Sequence, residues 1–499
     1  MPGSNWERPD PAKFWRLRRS RDWQRLAERY RSLNDRPLER CLEVARLGGA
    51  RCAVIETRYI DPDYRSEYAG FYSRTFESVP DCTQRIHFFQ VELDPAFLWH
   101  LPPTPGYLGY MILRPSGLGR VGRSMLRPPP GLESAIRTAV SEDVTFFGQK
   151  LTVSGVPFVQ QDTQLGRCAH AAAWVCHYSA FRRGDVARRP IADFSLFADP
   201  SLGYGRPLPS DGLTVQQLLE LLRYFDLPAA FYSVRQLPPG QSVPWAAPDP
   251  KPPKVRRDDP RAHPGRWDYR IIAICCRYLN SGYPVLIGTG DHAFVICGYR
   301  RVRRANEPDW IEFIRNDDQA GPYIQIGEIF SDTYAPWECI MVPLPARLLL
   351  PPEPVERVGG LLMQRLAAGA SNSLPEAGAL LAAIKKGTLA LKTYAAPAND
   401  FKASLAARNF DSALVREYRL ARFSRYIWVV EAVDRDLRAS NLPPVLGEAI
   451  FDSTSSEHDP NLLALHIPGV AWVHRVSGQH RFPIRCNPAP YASGGVGPP

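Results

Sequence analysis

The chain contains the stretch Gln161-Asp-Thr-Gln-Leu-Gly-Arg-Cys168-Ala-His-Ala-Ala-Ala-Trp174, in which a cysteine opens a run of small, helix-forming residues. At the start of a helix, the dipole and the unpaired N–H groups favour the negatively charged thiolate, which is the nucleophilic form of cysteine. Alone, this pattern is more typical of a buried structural cysteine. Cys168 becomes a candidate nucleophile only together with partners elsewhere in the chain.

A histidine follows in the stretch Pro284-Val-Leu-Ile-Gly-Thr-Gly-Asp-His292-Ala-Phe-Val-Ile-Cys-Gly-Tyr299. Two apolar runs flank a Thr-Gly-Asp turn, which predicts two strands with His292 in the loop just before the second one. From such a loop an imidazole can face a cleft. There it would supply a cation beside the Cys168 thiolate and later protonate a leaving group.

A third predicted strand, Trp310 to Arg315, leads into an acidic run. Asp317 is the preferred partner of the histidine, because a carboxylate fixes the tautomer of an imidazole and stabilises its charged form. Asn316 and Asp318 remain open, since the sequence does not settle the phase of a strand to one residue. A role in the turn before Gly321-Pro322 is the alternative for Asp317.

An acyl-transfer site also needs hydrogen-bond donors for the oxyanion that develops during the reaction. The backbone N–H of Cys168 is one such donor. Gln161 is the best candidate for the second, with Gln164 behind it. His170 and His177 follow in the same predicted helix, where we expect them to be structural.

The region 157–323, about a third of the chain, resembles the papain-like superfamily of cysteine peptidases. It is most similar to the bacterial branch that includes the peptidases that process bacteriocin leaders. That branch has a glutamine, a cysteine that begins the central helix, a Gly-x-Pro-Val strand, a His-Ala pair before an apolar strand ending in Gly-Tyr, and an aspartate. The matching residues are Gln161, Cys168, Gly282-Tyr-Pro-Val285, His292-Ala293, Gly298-Tyr299 and Asp317. The chain departs from the pattern at Ala169, where glycine is common.

The resemblance implies an α+β fold. Its core would be papain-like, with a helix that carries the cysteine and an antiparallel sheet that carries His292 and Asp317, extended by N- and C-terminal α/β additions. It implies a cysteine protease or isopeptidase that cleaves a peptide or isopeptide bond through a thioester on Cys168. Cys168, His292 and Asp317 would be catalytic, and Gln161 would complete the oxyanion hole. A protein or peptide would be the substrate, and no metal or organic cofactor would be needed.

Two alternatives to hydrolysis remain open. The same thiol chemistry with an amine in place of water would give a transglutaminase- or acyltransferase-like enzyme, and the added amine would then appear in the product. The papain-like domain would otherwise be a catalytically silent binding module. In either case the flanking regions are candidates for binding a regulatory protein partner.

The bulk composition indicates a globular protein of two or three domains, with 499 residues that are 44% hydrophobic and 22% charged. No apolar run approaches the ~18 residues that cross a bilayer, and the N-terminus has no apolar signal core, so we expect a cytoplasmic location without a membrane partner. The ten cysteines form no Cys-x-x-Cys pair, which favours reduced thiols. The net charge of +10 is spread along the chain. It does not exclude nucleic acid, but no motif favours that partner.

Composition shifts divide the chain into four parts. Residues 1–150 form a mixed α/β region of unknown role, 151–345 the papain-like catalytic domain, 346–486 a C-terminal α/β region and 487–499 a tail that we expect to be disordered. A Pro-rich, charged segment at 238–266 is typical of a long solvated loop.

Periodicity and capping residues predict the main helices and strands. Thr214 and Gln217 form a capping box for one helix, and another helix, from about residue 268, ends at Asn280-Ser-Gly282. Further predicted helices cover about 12–33, 353–369 and 374–392. Further predicted strands cover 52–59, 85–91, 108–113, 426–431 and 447–451.

Overall fold

The computed structural model describes residues 11–31, 36–95, 106–115, 120–162, 166–197, 212–236, 269–302, 310–326, 337–408, 410–439, 444–474 and 484–485. Three predictions lie outside these residues: the alternative donor Gln164, the 238–266 loop and the 487–499 tail. Within the described ranges the chain combines helices with antiparallel sheets, which confirms the predicted α+β class. None of the helices in these ranges is both long and apolar enough to cross a membrane.

Strands and helices are numbered in chain order. The strands are β1 (Ala12–Arg16), β2 (Cys52–Tyr59), β3 (Thr83–Phe89), β4 (Tyr107–Leu113), β5 (Val121–Leu126), β6 (Val140–Phe146), β7 (Gln149–Phe158), β8 (Ala229–Ser233), β9 (Val285–Gly288), β10 (Ala293–Val302), β11 (Trp310–Asp317), β12 (Gly321–Gln325), β13 (Cys339–Pro343), β14 (Leu389–Pro397), β15 (Tyr426–Asp434), β16 (Val445–Asp452), β17 (Leu462–Ile467), β18 (Val470–Val473) and β19 (Ile484–Arg485). The helices are α1 (Ser20–Arg29), α2 (Arg36–Leu47), α3 (Pro62–Gly70), α4 (Cys168–Arg182), α5 (Ile191–Ser195), α6 (Val215–Tyr224), α7 (Tyr269–Asn280), α8 (Pro352–Ala370), α9 (Gly378–Lys386), α10 (Ala398–Ser404), α11 (Ser412–Leu420) and α12 (Arg435–Ala439).

Three sheets organise these elements. The first has the strand order β1-β2-β3-β4-β5-β7-β6, the second has the order β12-β11-β10-β9-β13-β8, and the third has the order β14-β15-β16-β17-β18-β19. In the first and third sheets almost every strand pairs with its neighbour in sequence. Such pairing needs only short connections between antiparallel strands. Strand β10 begins directly after His292, and β11 ends at Asp317. These two strands are neighbours in the second sheet.

The contacts between residues divide the chain into two compact units. The first comprises Met1–Phe231, Pro284–Arg300 and Glu312–Pro343, and the second comprises Tyr232–Tyr283, Arg301–Ile311 and Leu344–Pro499. The first sheet continues across residue 150, where composition suggests a boundary, because β7 pairs with both β5 and β6. Helix α7 lies within residues 151–345, which the sequence predicts to be the catalytic domain, but it belongs to the second unit.

Several predicted elements are confirmed, including the helix that begins at Cys168. Thr214 is the N-cap of α6, since its hydroxyl accepts a hydrogen bond from the Gln217 backbone N–H at 3.2 Å. Gln217 Oε1 accepts one from the Thr214 N–H at 2.8 Å, which completes the capping box. Gly282 follows α7 with φ +77°, as its predicted stop requires. The predicted strands are present, within a few residues, as β2, β3, β4, β9, β10, β11, β15 and β16.

The prediction of one helix over 12–33 is wrong in its first part. Residues Ala12–Arg16 form β1, which pairs antiparallel with β2, and only Ser20–Arg29 is helical. Pairing at the edge of a sheet gives the backbone polar groups of this segment partners that lie far away in sequence. A local hydrophobic pattern does not report such a partner, so the tertiary contact overrides the helical periodicity.

The prediction of a helix over 374–392 is wrong at its C-terminal end. Helix α9 ends at Lys386, because Gly387 adopts φ +71° and closes the helix in the left-handed region. Two residues later Leu389 begins β14, which pairs along its whole length with β15. The glycine was therefore the signal that marked the boundary.

Helix α4 lies in the core of the first unit. All its residues from Ala169 to Ala180 are buried, and Trp174 stacks on Tyr178 with 4.9 Å between the ring centroids. The helix packs against β6, β7 and β9 and against α5 and α6. Contact on so many sides fixes the position of its N-terminus, where Cys168 lies.

A buried charged cluster is central to the second unit. Arg408 donates hydrogen bonds to Glu448 at 2.6 Å and to Glu431 at 3.3 Å, and all three side chains are buried. Glu431 and Glu448 lie opposite each other on β15 and β16. Without the guanidinium, two carboxylates would face each other in the core, which is strongly unfavourable.

We expect Arg408→Leu to lower the free energy of unfolding of this unit by about 3–5 kcal/mol, because it removes the counter-charge of two buried carboxylates. Urea unfolding followed by circular dichroism measures the loss. Arg416→Leu is the matched control, since Arg416 pairs with Glu417 through a side chain that is 71% exposed. That change should cost no more than about 0.5 kcal/mol. Equal losses in both variants would contradict a special role for the cluster.

Candidate active site

Cys168 is the first residue of α4, as the sequence predicts, and its side chain is partly exposed. Arg167 caps the helix in an extended conformation, and the first N–H groups of a helix have no acceptor within it. His170 closes this end, because its Nδ1 accepts a hydrogen bond from the Arg167 N–H at 3.1 Å. Burial lowers the pKa of His170 to about 4, so the ring stays neutral and can accept. The structure therefore gives His170 the expected structural role.

His292 lies in the tight loop between β9 and β10. Its backbone N–H donates to Thr289 Oγ1 at 3.1 Å, and its carbonyl accepts from the Thr289 N–H at 2.8 Å, which closes the loop. Further along β10, a Cβ on Gly298 would lie 2.2 Å from the carbonyl oxygen of Ala135. A backbone segment approaches the strand there through the Ile136–Gly298 bridge. The glycine of the Gly-Tyr motif is thus a packing requirement.

The structure brings Cys168, His292 and Asp317 together, and we call these three residues the triad. His292 Nε2–H donates a hydrogen bond to Asp317 Oδ1 at 3.1 Å. The Cys168 side chain lies close enough to the same imidazole to raise its pKa. The His292 side chain is 17% exposed and that of Asp317 only 4%. A thiol, an imidazole and a buried carboxylate in this order allow a proton to move from sulfur to nitrogen.

The surroundings of His292 favour its protonated form. Burial of the ring opposes protonation, but hydrogen bonds to Asp317 and Cys168, with the charges of Asp317 and Asp318, outweigh it and raise the pKa of His292 to about 10. Burial also opposes ionisation of Asp317, yet His292, Arg315 and the Gln319 N–H keep the pKa of Asp317 below its usual value. An imidazolium beside a carboxylate is therefore the stable pair at neutral pH.

A β-bulge positions Asp317. The register between β11 and β12 shifts between Arg315 and Asp317, and Tyr323 on the facing strand adopts φ +57°, which is rare for a residue other than glycine. Asn316 Oδ1 accepts from the Tyr323 N–H at 3.0 Å, and its Nδ2 donates to the Pro157 carbonyl at 3.1 Å. The Asn316 amide thus stabilises the bulge, and the side chain of the next residue, Asp317, contacts the His292 imidazole.

Tyr323 connects this bulge to the first sheet. Its hydroxyl donates to the Leu126 carbonyl at 2.7 Å and accepts from the Val156 N–H at 2.8 Å, between β5 and β7. Gly155 leaves the necessary space, because a Cβ there would lie 2.9 Å from that hydroxyl. Arg40 of α2 donates to the Tyr323 carbonyl at 2.7 Å. The N-terminal region therefore supports the strand end that carries Asp317.

Asp318 is a second buried carboxyl beside His292. Its Oδ1 lies 3.9 Å from Nε2 of His292, and neither of its oxygens has a hydrogen-bond partner in the described part of the chain. Burial and the charge of Asp317 raise the pKa of Asp318 to about 8. Nε2 of His292 and one oxygen from each of these carboxyls lie within 4.8 Å of one another. These donor types could hold a metal ion.

Gln161 lies half-buried between two anchored neighbours. The Gln160 carbonyl accepts a hydrogen bond from Arg114 at 2.7 Å, and the Asp162 carboxylate accepts one from the Tyr72 hydroxyl. All four of these groups are buried. No hydrogen bond within the described ranges joins the Gln161 side chain to the triad. The backbone at Gln161 is thus well held, while its role as a donor stays a prediction.

Two neighbours of the triad were not predicted from the sequence. Arg315 donates to Asp317 Oδ2 at 2.8 Å, the oxygen that His292 does not use. Gln319 donates its backbone N–H to Asp317 Oδ1 at 2.9 Å, and its side-chain amide lies 3.4 Å from His292 Nδ1. A cation two positions before an acid in a strand was a usable signal for Arg315. No such signal marked Gln319, because its contacts depend on the turn after β11. In that turn Asp317 Oδ1 accepts hydrogen bonds from both the Gln319 N–H and His292.

Comparison with known proteins gives no relative from which the role of this site could be inferred. No protein-family model, no curated protein and no solved structure matches the chain. The resemblance to papain-like peptidases therefore rests on the motif residues alone and stays a prediction. The chemistry of the site has to be argued from its own geometry.

We expect the His292 ring to titrate near pH 10 instead of near 6.5. Because folding raises this pKa, protonated His292 stabilises the protein fully below about pH 6.5, and this contribution is lost as the pH rises toward 10. Nitrogen-15 NMR of the ring in the presence of EDTA measures the titration. Asp317→Asn should lower the pKa, whereas Asp143→Asn, at a carboxylate that is 51% exposed, should not. A pKa near 6.5 in the unaltered protein would contradict the described contacts.

Proposed function

We propose that this protein is a cysteine hydrolase with a papain-like core, which cleaves a peptide or isopeptide bond through a thioester on Cys168. The observation that carries the proposal is that one imidazole, His292, is hydrogen-bonded to the buried Asp317 carboxylate and also interacts with the Cys168 side chain at the start of α4. The helix N-terminus at Cys168 adds support, because its dipole favours a thiolate. The order of elements, with the histidine before one strand and the aspartate at the end of its neighbour, is also that expected of a papain-like core.

The reaction begins with the thiol proton on His292, whose positive charge Asp317 holds. The thiolate attacks the carbonyl carbon of the scissile bond and forms a tetrahedral intermediate. As the C–N bond breaks, His292 gives its proton to the leaving amine, and the acyl group stays on sulfur as a thioester. The neutral imidazole then takes a proton from water, whose oxygen attacks the thioester. The acid product leaves, and Cys168 and His292 return to their starting protonation states.

Donors for the negative oxygen of the tetrahedral intermediate must be in place before it forms. The Cys168 N–H, in the first turn of α4, is one of them. We assign the second to the Gln161 amide, because the buried hydrogen bonds of Gln160 and Asp162 hold the backbone on both sides of it. A backbone that is held in advance reduces the reorganisation that its side-chain donor needs during the reaction.

We expect an epoxide-type thiol probe to label Cys168 selectively down to about pH 5, because a neighbouring imidazolium stabilises the thiolate. His292→Ala should abolish this selectivity. Cys82 and Cys276 are also partly exposed, so mapping by mass spectrometry compares three cysteines of similar exposure. Cys82→Ala is the matched control and should leave labelling of Cys168 unchanged. Labelling that follows exposure alone would count against an activated thiol.

Incubation with peptide libraries, with and without an added amine, identifies the acyl acceptor. A product with a free carboxylate supports hydrolysis, and its formation should stop in Cys168→Ala. A product that carries the amine supports the transglutaminase- or acyltransferase-like alternative. An activated Cys168 without turnover of any peptide favours the silent binding module.

We expect Gln161→Ala to lower kcat about 10²–10³-fold, the usual effect of removing one oxyanion donor. KM should change little, because this interaction forms in the transition state. Alkylation of Cys168 by an epoxide creates no oxyanion at a carbonyl and should keep its rate. Gln216→Ala, at an exposed position of α6, is the matched control. A parallel fall in kcat and in alkylation rate would indicate general damage to the site.

A further inference from the structure

Two buried carboxyl groups face one ring nitrogen of His292. Asp317 Oδ1 and Asp318 Oδ1 lie 3.1 and 3.9 Å from its Nε2. The single hydrogen on Nε2 is already donated to Asp317. Both oxygens of Asp318 lack a hydrogen-bond partner among the described residues, although the residue is only 6% exposed. Such a group is unfavourable at this depth and points to a ligand that binds there.

The donor atoms suit a small transition-metal cation. Nε2 of His292 and one oxygen each of Asp317 and Asp318 lie within 4.8 Å of one another. Zinc binds imidazole nitrogen and carboxylate oxygen at about 2.0–2.2 Å, so its ligand atoms lie about 3.4 Å apart in a tetrahedral site. Arg315 pairs with Oδ2 of Asp317. Oδ1 accepts from the Gln319 N–H and has a second lone pair, which faces Nε2 of His292 and would bind the ion. The positive charge of Arg315 also moderates the affinity for a cation.

We propose that His292, Asp317 and Asp318 bind a Zn²⁺ ion that reversibly inhibits the thiol site. The metal–nitrogen bond forms on the Nε2 lone pair while the Nε2 proton passes to solvent, so the ion replaces that proton between the two carboxylates. The remaining ring proton, on Nδ1, can then leave only by creating a metal-bound imidazolate. His292 therefore no longer protonates a leaving amine. The inhibition, unlike the binding, rests on the proposed function.

Competition between the full-length protein and a chromophoric zinc chelator near neutral pH tests the binding. Cys168→Ala should bind Zn²⁺ as the unaltered protein does, because sulfur is not a ligand in this site. Asp318→Asn should bind it at least about tenfold more weakly, a difference of about 1.4 kcal/mol. Asp291→Asn is the matched control, since this exposed acid precedes His292 in sequence, and it should bind normally.

Nitrogen-15 NMR of the His292 ring adds a readout that depends on no variant. Zn²⁺ should move the Nε2 signal to that of a metal-bound nitrogen, while Nδ1 keeps its proton. Loss of binding in Cys168→Ala, unweakened binding in Asp318→Asn or an unchanged Nε2 signal would overturn the site.

Different experimental results would refute the metal site and the proposed function. Zn²⁺ binding at His292 without any hydrolysis of peptides would refute the proposed function and leave the metal site standing. Peptide hydrolysis by a protein that neither binds Zn²⁺ nor is inhibited by it would refute the metal site alone. Inhibition by Zn²⁺ that EDTA reverses, and that Asp318→Asn weakens, would support both.

Discussion

The hydrogen bond between His292 Nε2 and Asp317 Oδ1 is the contact on which the candidate site depends. It orients the ring and stabilises its positive charge. A buried ion pair is favourable only where the geometry is good and the remaining polar atoms are also bonded. Arg315 and the Gln319 N–H provide those bonds to Asp317. The carboxylate is therefore held by three donors, and its orientation is set before any substrate binds.

That orientation depends in turn on a bulge held from outside the second sheet. A non-glycine residue such as Tyr323, at φ +57°, persists only where its surroundings determine the conformation. Here Asn316 bonds its N–H, Arg40 bonds its carbonyl, and the backbone of β5 and β7 bonds its hydroxyl. The N-terminal region is thus more than an addition to the site, since its sheet and α2 hold the strand end that carries Asp317.

The parts of this arrangement that sequence could predict are those with local signals. Cys168 is marked by a helix start and His292 by a turn between two apolar runs, and in the structure His292 lies between Cys168 and Asp317 and interacts with each. Strand phase could not choose among the three residues from 316 to 318, because a bulge breaks the period-two alternation there, so the preference for Asp317 rested on carboxylate chemistry alone. The strand at Ala12–Arg16 was missed for a related reason, since its pairing partner is distant in sequence.

The charges around the triad explain why Asp318 has no part in the proposed proton transfer. With the proton on His292, the thiolate, the imidazolium, Asp317 and Arg315 sum to zero. A further buried negative charge would have no counter-charge, which agrees with the rise in the pKa of Asp318 to about 8. A divalent ion in place of the Nε2 proton adds one positive charge, and ionised Asp318 would cancel it. The carboxyl that the proposed acyl chemistry leaves neutral is therefore the one whose ionisation the proposed metal at His292 would require.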